Sequence, residues 1–480
     1  MSAALPASPF AARSASLAVA LVATMAYANA WRNGFVLDDP GIILHNPLVQ
    51  DPATAWRAFV QPYWPSAVGG GQYRPLGIVS FALDHAIAGN RAAWFHVVNV
   101  AWHAAVVVLV HRLALTCMAP AFAVLAAVIF AVHPVHVEAV ANVVGRLELM
   151  AAAFGVGAVL AHRRASLAAV PLFAAALASK ESAIMVPFLA LLVDRLGTPD
   201  WRRALRERAR LYGAYAAVAA AWVLLMRYAL AGTPWHVTSA VFLDHDASTR
   251  LLTVLSIVPH YVRLLVVPTR LSSDYEPDVI VTASSITPAV LLGAGVVVAF
   301  LVCLALTWRR WPALALGLAW IVVALAPASN VLFPTGVALA ERTLYLPSVG
   351  LALVVGVMAE KVPPARQRPT VALLCAVLIG LASITWQRTP TWRDARTHAI
   401  ALVTQHPESY RGHWVAARAM RAANDVSAAD REFTIARRIY DRDATLLREA
   451  GALALELGRH DEGQRLIESA TAIEQERKSR

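Results

Sequence analysis

Residues 92–111 read AAWFHVVNVAWHAAVVVLVH and, after Arg112, residues 113–137 read LALTCMAPAFAVLAAVIFAVHPVHV. The first run holds 20 residues without Asp, Glu, Lys or Arg, and the second holds 25. A helix rises about 1.5 Å per residue, so roughly 20 apolar residues cross a hydrocarbon layer about 30 Å thick. Two such runs joined by one arginine read as membrane-crossing helices. Moving outward, charge-free runs recur at 14–31, 149–162, 165–179, 182–193, 211–226, 279–308, 311–340, 343–359 and 369–387. The expectation is an all-α polytopic membrane protein with about eleven transmembrane helices. Several runs are short, so their helices must tilt or extend into flanking charged residues.

Composition agrees. Of 480 residues, 58% are hydrophobic and 15% charged, against about 25% charged in soluble domains. Mean hydropathy is +0.55. A disordered chain, a disulfide scaffold and an ordinary cytosolic enzyme are excluded. The net charge of +11, from 42 Lys+Arg against 31 Asp+Glu, suits cytoplasmic loops rather than nucleic acid. Cys117, Cys303 and Cys375 sit in apolar runs, which indicates neither a disulfide framework nor a thiolate metal site.

Basic residues set the orientation. Arg13, Arg112, Arg163–Arg164, the cluster from Arg195 to Arg210, Arg309–Arg310 and Lys361/Arg366/Arg368 occupy every second connection. Assigned to the cytoplasm, they leave Asp38, Asp39, Glu138, Glu148, Glu181, Asp244, Asp246, Asp274, Glu276 and Glu341 in the alternate, outer loops. The N-terminus is then cytoplasmic, the first outer loop spans 32–92, and the C-terminal tail is extracytoplasmic. Residues 251–267 resemble a span, but counting them would place Arg309–Arg310 outside. With Pro259, His260 and Arg263 inside it, this segment reads as an interfacial or re-entrant helix within an outer loop at 228–287. Ala28-Asn29-Ala30 fits a signal-peptidase site; the span before it is long enough to remain as an anchor.

Residues 1–387 form the transmembrane domain, and 388–480 differ. Two segments of this tail align at an offset of 34: Ala416-Ala417 with Ala450-Gly451, Asn424 with Gly458, Ala429 with Gly463, Phe433 with Ile467, and Ala436 with Ala470. That is the period and small-residue placement of tetratricopeptide (TPR) helix pairs. Ala395, Ala399, Leu402 and Pro407 add half a repeat. A generic stack of amphipathic helices is the plainer alternative; both make the tail a docking or capping surface.

Polar residues at the outer ends of spans are costly and invite explanation. Phe35-Val36-Leu37-Asp38-Asp39-Pro40 places two carboxylates just beyond the first span, suiting a general base or an anchor for a cationic group, although Asp-Pro is also turn chemistry. His133-Pro134-Val135-His136-Val137-Glu138, with Arg146 and Glu148 beyond, offers metal-ligand types; capping of a helix end explains it equally. In Ser179-Lys180-Glu181 the two charges either pair with each other or leave Lys180 for a phosphate. Glu341-Arg342-Thr343-Leu344-Tyr345 presents Arg342 to a phosphate or pyrophosphate. Tyr73-Arg74 adds a cation. His96, Asn99 and His103 share one helix face and read as interhelical hydrogen bonding. These groups all fall on the outer side, the convergence expected of an enzyme using a lipid-linked donor.

FVLDDPGIILHNPLV (35–49), YRPLGIVSFALDHAIAGNRAAWFHVVNVAWH (73–103), FAVHPVHVEAVANVVGRLELMA (130–151), SKESAIMVPFLALLVD (179–194) and ERTLYLPSVG (341–350) occur in this order. Together they resemble the transmembrane-and-TPR O-mannosyltransferases and their bacterial relatives, of the GT-C glycosyltransferase fold. The resemblance covers nearly the whole chain. It implies inverting transfer of mannose or another hexose from a polyprenyl-phosphate donor to a protein or glycan hydroxyl on the outer face. An acidic residue of the first outer loop is the implied base, Asp38 being favoured over Asp39. Arg74, Arg146, Lys180 and Arg342 become candidate phosphate contacts. His133, His136, Glu138, Glu148, Glu181, Glu341 and Tyr345 become candidate site-shaping residues. No cofactor is required by the resemblance, and no metal site is expected, although paired carboxylates are able to bind Mg²⁺ or Mn²⁺. The tail, with about two repeats, is shorter than in fuller family members, and the loop at Val241–Asp246 matches loosely. The Arg- and Ala-rich composition points to a bacterial inner membrane and an undecaprenyl-type carrier. Two other functions fit a polytopic chain: a non-catalytic GT-C scaffold recruiting partners through its tail, and a transporter of a lipid-linked substrate. Transporter folds often carry internal repeats, and the two halves here share no convincing self-similarity.

Overall fold

A computed structural model describes residues 9–65, 71–197, 200–233, 238–243, 245–277 and 279–479. The apolar helices are α1 (Pro9–Ala26), α2 (Pro75–Ala88), α3 (Ala92–Ala114), α4 (Pro120–Val132), α5 (Arg146–Arg163), α6 (Ala169–Ser179), α7 (Val186–Gly197), α8 (Ala209–Ala229), α9 (Ala247–Val266), α10 (Pro288–Arg310), α11 (Pro312–Leu325), α12 (Pro347–Glu360) and α13 (Pro364–Arg388). The tail adds α14 (Ala395–Gln405), α15 (Tyr410–Ala422), α16 (Val426–Ile439), α17 (Ala444–Glu456) and α18 (His460–Ser479). No strand occurs among the described residues. Proline lacks an N–H and has a helix-compatible φ, so it suits a first turn. Pro75, Pro120, Pro288, Pro312, Pro347 and Pro364 all stand there.

Seven stretches are long and apolar enough to cross a membrane: Arg13–Arg32, Ala92–Ala114, Val143–Arg163, Ala209–Ala229, Ala247–Val266, Pro288–Arg310 and Pro364–Trp392. α4 and Pro134–Ala141, bent by 48°, make an eighth. The chain is therefore an all-α polytopic membrane protein. The expected count of about eleven needs qualification: α6, α7, α11 and α12 have only 11, 12, 14 and 14 residues. Their charge-free runs include 3₁₀ turns at Glu181–Met185 and Ala326–Ala328 and irregular backbone before Glu341. Composition registers apolar length there, but not the turns.

α9 is long and apolar enough to cross a membrane, and it packs both on loop residues and against α10. Its buried Val254, Ile257, Tyr261, Leu264 and Leu265 form one cluster with Val241, Phe242, Leu271, Tyr275 and Leu339. His133 Nε2 bonds the Leu265 carbonyl at 3.0 Å. One face thus lies on loop residues, while another crosses α10 closely where Leu255 meets Gly293. Asp244, in the loop before α9, lies outside the described residues.

The main core joins α3, α4, α5, α6, α7, α11 and α12 through residues such as Val110, Phe130, Val156, Phe173, Leu189, Trp320 and Leu353. α8, α10 and α13 leave most of their apolar surface exposed. α11 and α12 meet where a Cβ on Gly350 would stand 2.3 Å from the Gly317 carbonyl oxygen, so only glycine permits that crossing. At the α4 break, Thr385 Oγ1 donates to the Val132 carbonyl at 2.8 Å and His103 Nε2 bonds the Ala131 carbonyl at 3.0 Å. These bonds satisfy carbonyls that a continuing helix would have paired.

The tail follows its 34-residue period. α15 and α17 begin at 410 and 444, and α16 and α18 at 426 and 460. Asn424 and Gly458 occupy equivalent left-handed positions, with φ of 63° and 77°. Asp425 and Asp443 cap the helices after them. The tail sits on the same face as Asp38. Ser409 Oγ donates to Asp274 at 2.5 Å, Ser273 Oγ bonds His398 Nε2 at 3.0 Å, and the Gly34 amide donates to the Arg393 carbonyl at 2.7 Å.

Candidate active site

Two neighbouring carboxylates stand in opposite environments. Leu37 has φ of +55°, a left-handed conformation that costs a residue with a Cβ about 1–2 kcal/mol. The chain then enters a π-helical turn at Pro40–Leu44. Asp39 is fully buried; its Oδ2 accepts from the Val36 amide at 3.0 Å and its Oδ1 from Val144 at 2.9 Å. Burial pushes Asp39 up to about 7, against these amide bonds. Asp38 is exposed, and its carboxylate has no hydrogen-bond or ion-pair partner among the described residues, while its backbone carbonyl accepts from the Ile42 amide at 3.1 Å. It stands in a cleft walled by protein. That enclosure pushes its carboxyl above the ordinary range, with Arg342, Arg411 and Arg74 pulling it back and Glu138 pushing it up. Both oxygens of Asp39 accept from backbone amides, whereas those of Asp38 face the cleft.

Three ion pairs surround Asp38. Arg74 grips Glu181 with two bonds, Nε to Oε2 at 2.9 Å and Nη2 to Oε1 at 2.5 Å, and lies over the Tyr63 ring at 5.5 Å. Lys180 pairs with Glu148. Arg342 pairs with Glu138, which also accepts from the Arg342 amide at 2.8 Å. Lys180 and Glu181, for which mutual pairing is one of two sequence readings, instead reach separate partners. Burial pushes Glu181 up, but Arg74 and Lys180 more than reverse this and hold it at about 2. Burial lowers Lys180, against the pull of Glu148. The Glu181 and Arg342 side chains keep 45% and 30% of their surface open, so the cleft is accessible despite its dense charge.

Other candidates fall elsewhere. Arg146, expected at a phosphate, is fully buried. It pairs with Asp84 at 2.5 Å and bonds Asn99 Oδ1 at 2.8 Å, Ser80 Oγ at 2.9 Å and the Phe95 carbonyl at 3.0 Å. Its guanidinium locks α5 to α2 and α3 and faces no cleft. His133 caps the turn after α4 by accepting from the Val135 amide at 3.2 Å. His136 bonds Ser348 Oγ at 2.7 Å, and Tyr345 bonds His103 Nδ1 at 2.7 Å. All three rings are buried in an aromatic core with Phe130 and support the site from below. Glu341 is buried against Ser272 at 2.6 Å, Tyr275 at 2.8 Å and Arg388 at 2.8 Å. It ties the turn before α12 to α13, and burial, partly offset by Arg388, pushes it to about 7. The His96–Asn99–His103 stripe bonds loops as well as a helix: His96 meets the Gly34 carbonyl at 3.1 Å and Asn99 the Asn142 carbonyl at 3.0 Å, both in loops, and His103 bonds another helix at the Ala131 carbonyl of α4.

Sequence reasoning missed Arg411 and Asp84. Asp84, alone among apolar residues of α2, had the signal of an acid needing a buried partner. Arg411 had none. It reaches Asp38 because α15 docks beside the loop at Asp274–Glu276, its Nη1 standing 3.8 Å from Glu276.

Among curated proteins, the chain is similar to a protein O-mannosyl-transferase of Caenorhabditis elegans, 26% identical over 371 residues, covering 75% of this chain and 53% of that protein. Protein O-mannosyl-transferase Tmtc2 of Drosophila melanogaster is 34% identical over 294 residues, 55% of this chain and 31% of that one. Human protein O-mannosyl-transferase TMTC3 is 25% identical over 419 residues, 78% and 46% respectively. The chain therefore spans about half or less of the length of these relatives. No family model matches it, and no solved structure does. By these similarities the chain is a homologue of the TMTC protein O-mannosyl-transferases.

Proposed function

We propose that the protein is a GT-C glycosyltransferase that moves a hexose from a polyprenyl-phosphate donor to an acceptor hydroxyl, with Asp38 as general base. The observation that carries this reading is the unpartnered Asp38 carboxylate, open to solvent between Arg342 and Arg74. Asp38 takes the proton of the acceptor O–H as that oxygen attacks the anomeric carbon. The bond from that carbon to the phosphate oxygen breaks on the opposite side, inverting the configuration, and the carrier phosphate leaves with the electron pair. Arg342, Arg74 and Lys180 are the cations that meet the growing negative charge; their present carboxylate partners hold them in place until donor phosphate competes. A carboxyl raised above its ordinary range is a stronger base near neutral pH. The reading needs no metal, the cations being supplied by side chains.

The arginine-rich opposite face is assigned to the cytoplasm, which puts the cleft and tail on the extracytoplasmic side, in a bacterial inner membrane with an undecaprenyl-type carrier. The acceptor, a protein or glycan, then approaches between the first outer loop and the tail, which also offers a surface for a protein partner. The test uses the full chain in nanodiscs with radiolabelled polyprenyl-phosphate mannose and glucose. Wild type is expected to release carrier phosphate and label an acceptor, and Asp38→Asn to lose about 10²–10⁴-fold of that rate. Turnover unchanged in Asp38→Asn would remove Asp38 as base. No turnover with any donor, together with loss of cellular partners on deleting the tail, would favour the scaffold.

A further inference from the structure

On the face opposite Asp38, the ends of α3, α5 and α6 enclose a groove of about 900 Å³. Arg112, Arg163 and Arg164 form its rim, and Trp102, Phe154 and Leu172 line its walls. Trp102 meets Phe154 edge-on with ring centres 5.4 Å apart. From Trp102 to Arg112, and from Phe154 to Arg164, is ten residues, about 15 Å of helix. That is half of a hydrocarbon layer about 30 Å thick. The groove is thus one leaflet deep, with its cations at headgroup level.

No carboxylate pairs with any of these three arginines among the described residues. The acids of that face are engaged elsewhere: Asp194 pairs with Arg208 and accepts from Tyr212 at 2.8 Å and from His162 at 3.0 Å, Glu360 accepts from the Ala119 amide at 3.1 Å, Asp200 from the Arg203 amide at 3.0 Å, and Glu207 pairs with Arg203. A general excess of cytoplasmic cations explains arginines on this face, but not three unpaired ones converging on one apolar groove. We propose that the groove binds an anionic glycerophospholipid of the adjacent leaflet, its phosphate held by Arg112, Arg163 and Arg164 and an acyl chain laid along Trp102, Phe154 and Leu172. Guanidinium groups match phosphate oxygens in pairs, and basic pockets between transmembrane helices suit anionic headgroups. A zwitterionic lipid would bring an ammonium group towards the same cations, and free phosphate would leave the apolar wall uncovered. The proposal does not depend on the sugar-transfer reading.

The full chain is equilibrated in nanodiscs containing equal dioleoyl-phosphatidylglycerol and dioleoyl-phosphatidylcholine, and retained lipid is read by native mass spectrometry. Phosphatidylglycerol is expected to be retained over phosphatidylcholine by about tenfold, the effect of one well-placed ionic contact. The triple variant Arg112→Gln, Arg163→Gln, Arg164→Gln is expected to lose that preference. Ala105→Trp keeps every cation but fills the groove, and is expected to lose it too. Arg309→Gln with Arg310→Gln, on the same face away from the groove, is expected to keep it. Equal retention of both lipids by wild type would overturn the proposal. So would loss of preference in the Arg309/Arg310 variant, retention of it in Ala105→Trp, or displacement of the lipid by inorganic phosphate alone.

Discussion

Asp39→Asn is expected to abolish a loss of stability that wild type undergoes between about pH 4 and pH 7. Asp39 is wholly buried, and its carboxyl is pushed from 3.8 to about 7 by burial, against amide bonds from Val36 and Val144. A carboxyl raised in the folded state holds its proton more tightly folded than unfolded. Its contribution to stability is therefore fully present below about pH 4 and is lost as the pH rises through about 7. At 1.36 kcal/mol per pH unit, the gap between 3.8 and about 7 amounts to about 4 kcal/mol. Asparagine never ionises, but its NH₂ cannot accept, so one of the two amide bonds from Val36 and Val144 is lost at every pH, a constant cost of about 1–3 kcal/mol. Relative to wild type, and counted from the acid limit, the variant should gain about 1.6 kcal/mol by pH 5 and about 4 kcal/mol by pH 8, which leaves it less stable at pH 4 by most of the cost of the lost bond and more stable at pH 8 by about 1–3 kcal/mol, a melting midpoint a few degrees higher. The assay is thermal unfolding of both proteins in one detergent at pH 4, 5, 6, 7 and 8. Sugar transfer per folded molecule should largely survive, because the Asp39 side chain is buried away from the cleft. An Asp39→Asn protein less stable than wild type at pH 8 would refute the reasoning, since the ionised carboxylate would then be a net stabiliser held by its amides.

Arg146→Met leaves Asp84 buried without its cation, and should cost about 3–5 kcal/mol in stability, read as a lowered melting midpoint. An Asp84→Leu, Arg146→Met double variant should recover much of that loss. For wild-type sugar transfer, kcat/KM should rise with pH as Asp38 deprotonates, its half-point above the ordinary carboxylate range. Arg342→Gln removes a cation that lowers Asp38, so the acid limb should move to higher pH; a limb unmoved by that change would disconnect the two residues. Gly350→Ala puts a methyl 2.3 Å from the Gly317 carbonyl oxygen and should cost about 1–3 kcal/mol through forced separation of α11 and α12, measured as a fall in thermal midpoint.

The helical passages were legible because a membrane imposes one rule on every segment, namely enough apolar length with backbone bonds satisfied within the helix. The tail was legible because its repeat places small residues and left-handed caps at a fixed period, as at Asn424 and Gly458. What composition does not carry is where an apolar run stops being helical. The run at 311–340 contains α11, a 3₁₀ turn at Ala326–Ala328 and a stretch of irregular backbone. A charge-free window registers all three alike. The same blindness made 251–267 ambiguous, because spacing shows neither the packing of α9 on Val241, Phe242 and Tyr275 nor its crossing with α10 at Gly293.

The candidate site was legible as a set of residues but not as a set of pairings. Arg74, Lys180 and Arg342 stood out because charges at a membrane boundary need a reason, yet Arg146 met the same criterion and is buried against Asp84. Sequence spacing cannot separate these cases, because the distinguishing partner lies 62 residues away for Arg146 and 204 for Arg342. Asp38 and Asp39 make the point at the smallest scale. They are adjacent and chemically identical, and one left-handed residue, Leu37, precedes them. In the turn that follows, the backbone amides of Val36 and Val144 capture Asp39. The Asp38 carboxylate is left with no partner among the described residues and with cations around it. The anchored neighbour thus fixes the backbone from which the free carboxylate faces the cleft. On this argument, replacing Leu37 by glycine, which adopts the same φ without strain but loosens the unfolded and native turn alike, should lower the transfer rate while leaving the pH half-point of Asp38 in place. A half-point that shifted with the rate would mean that Leu37 governs the electrostatic surroundings of Asp38 and not only its aim.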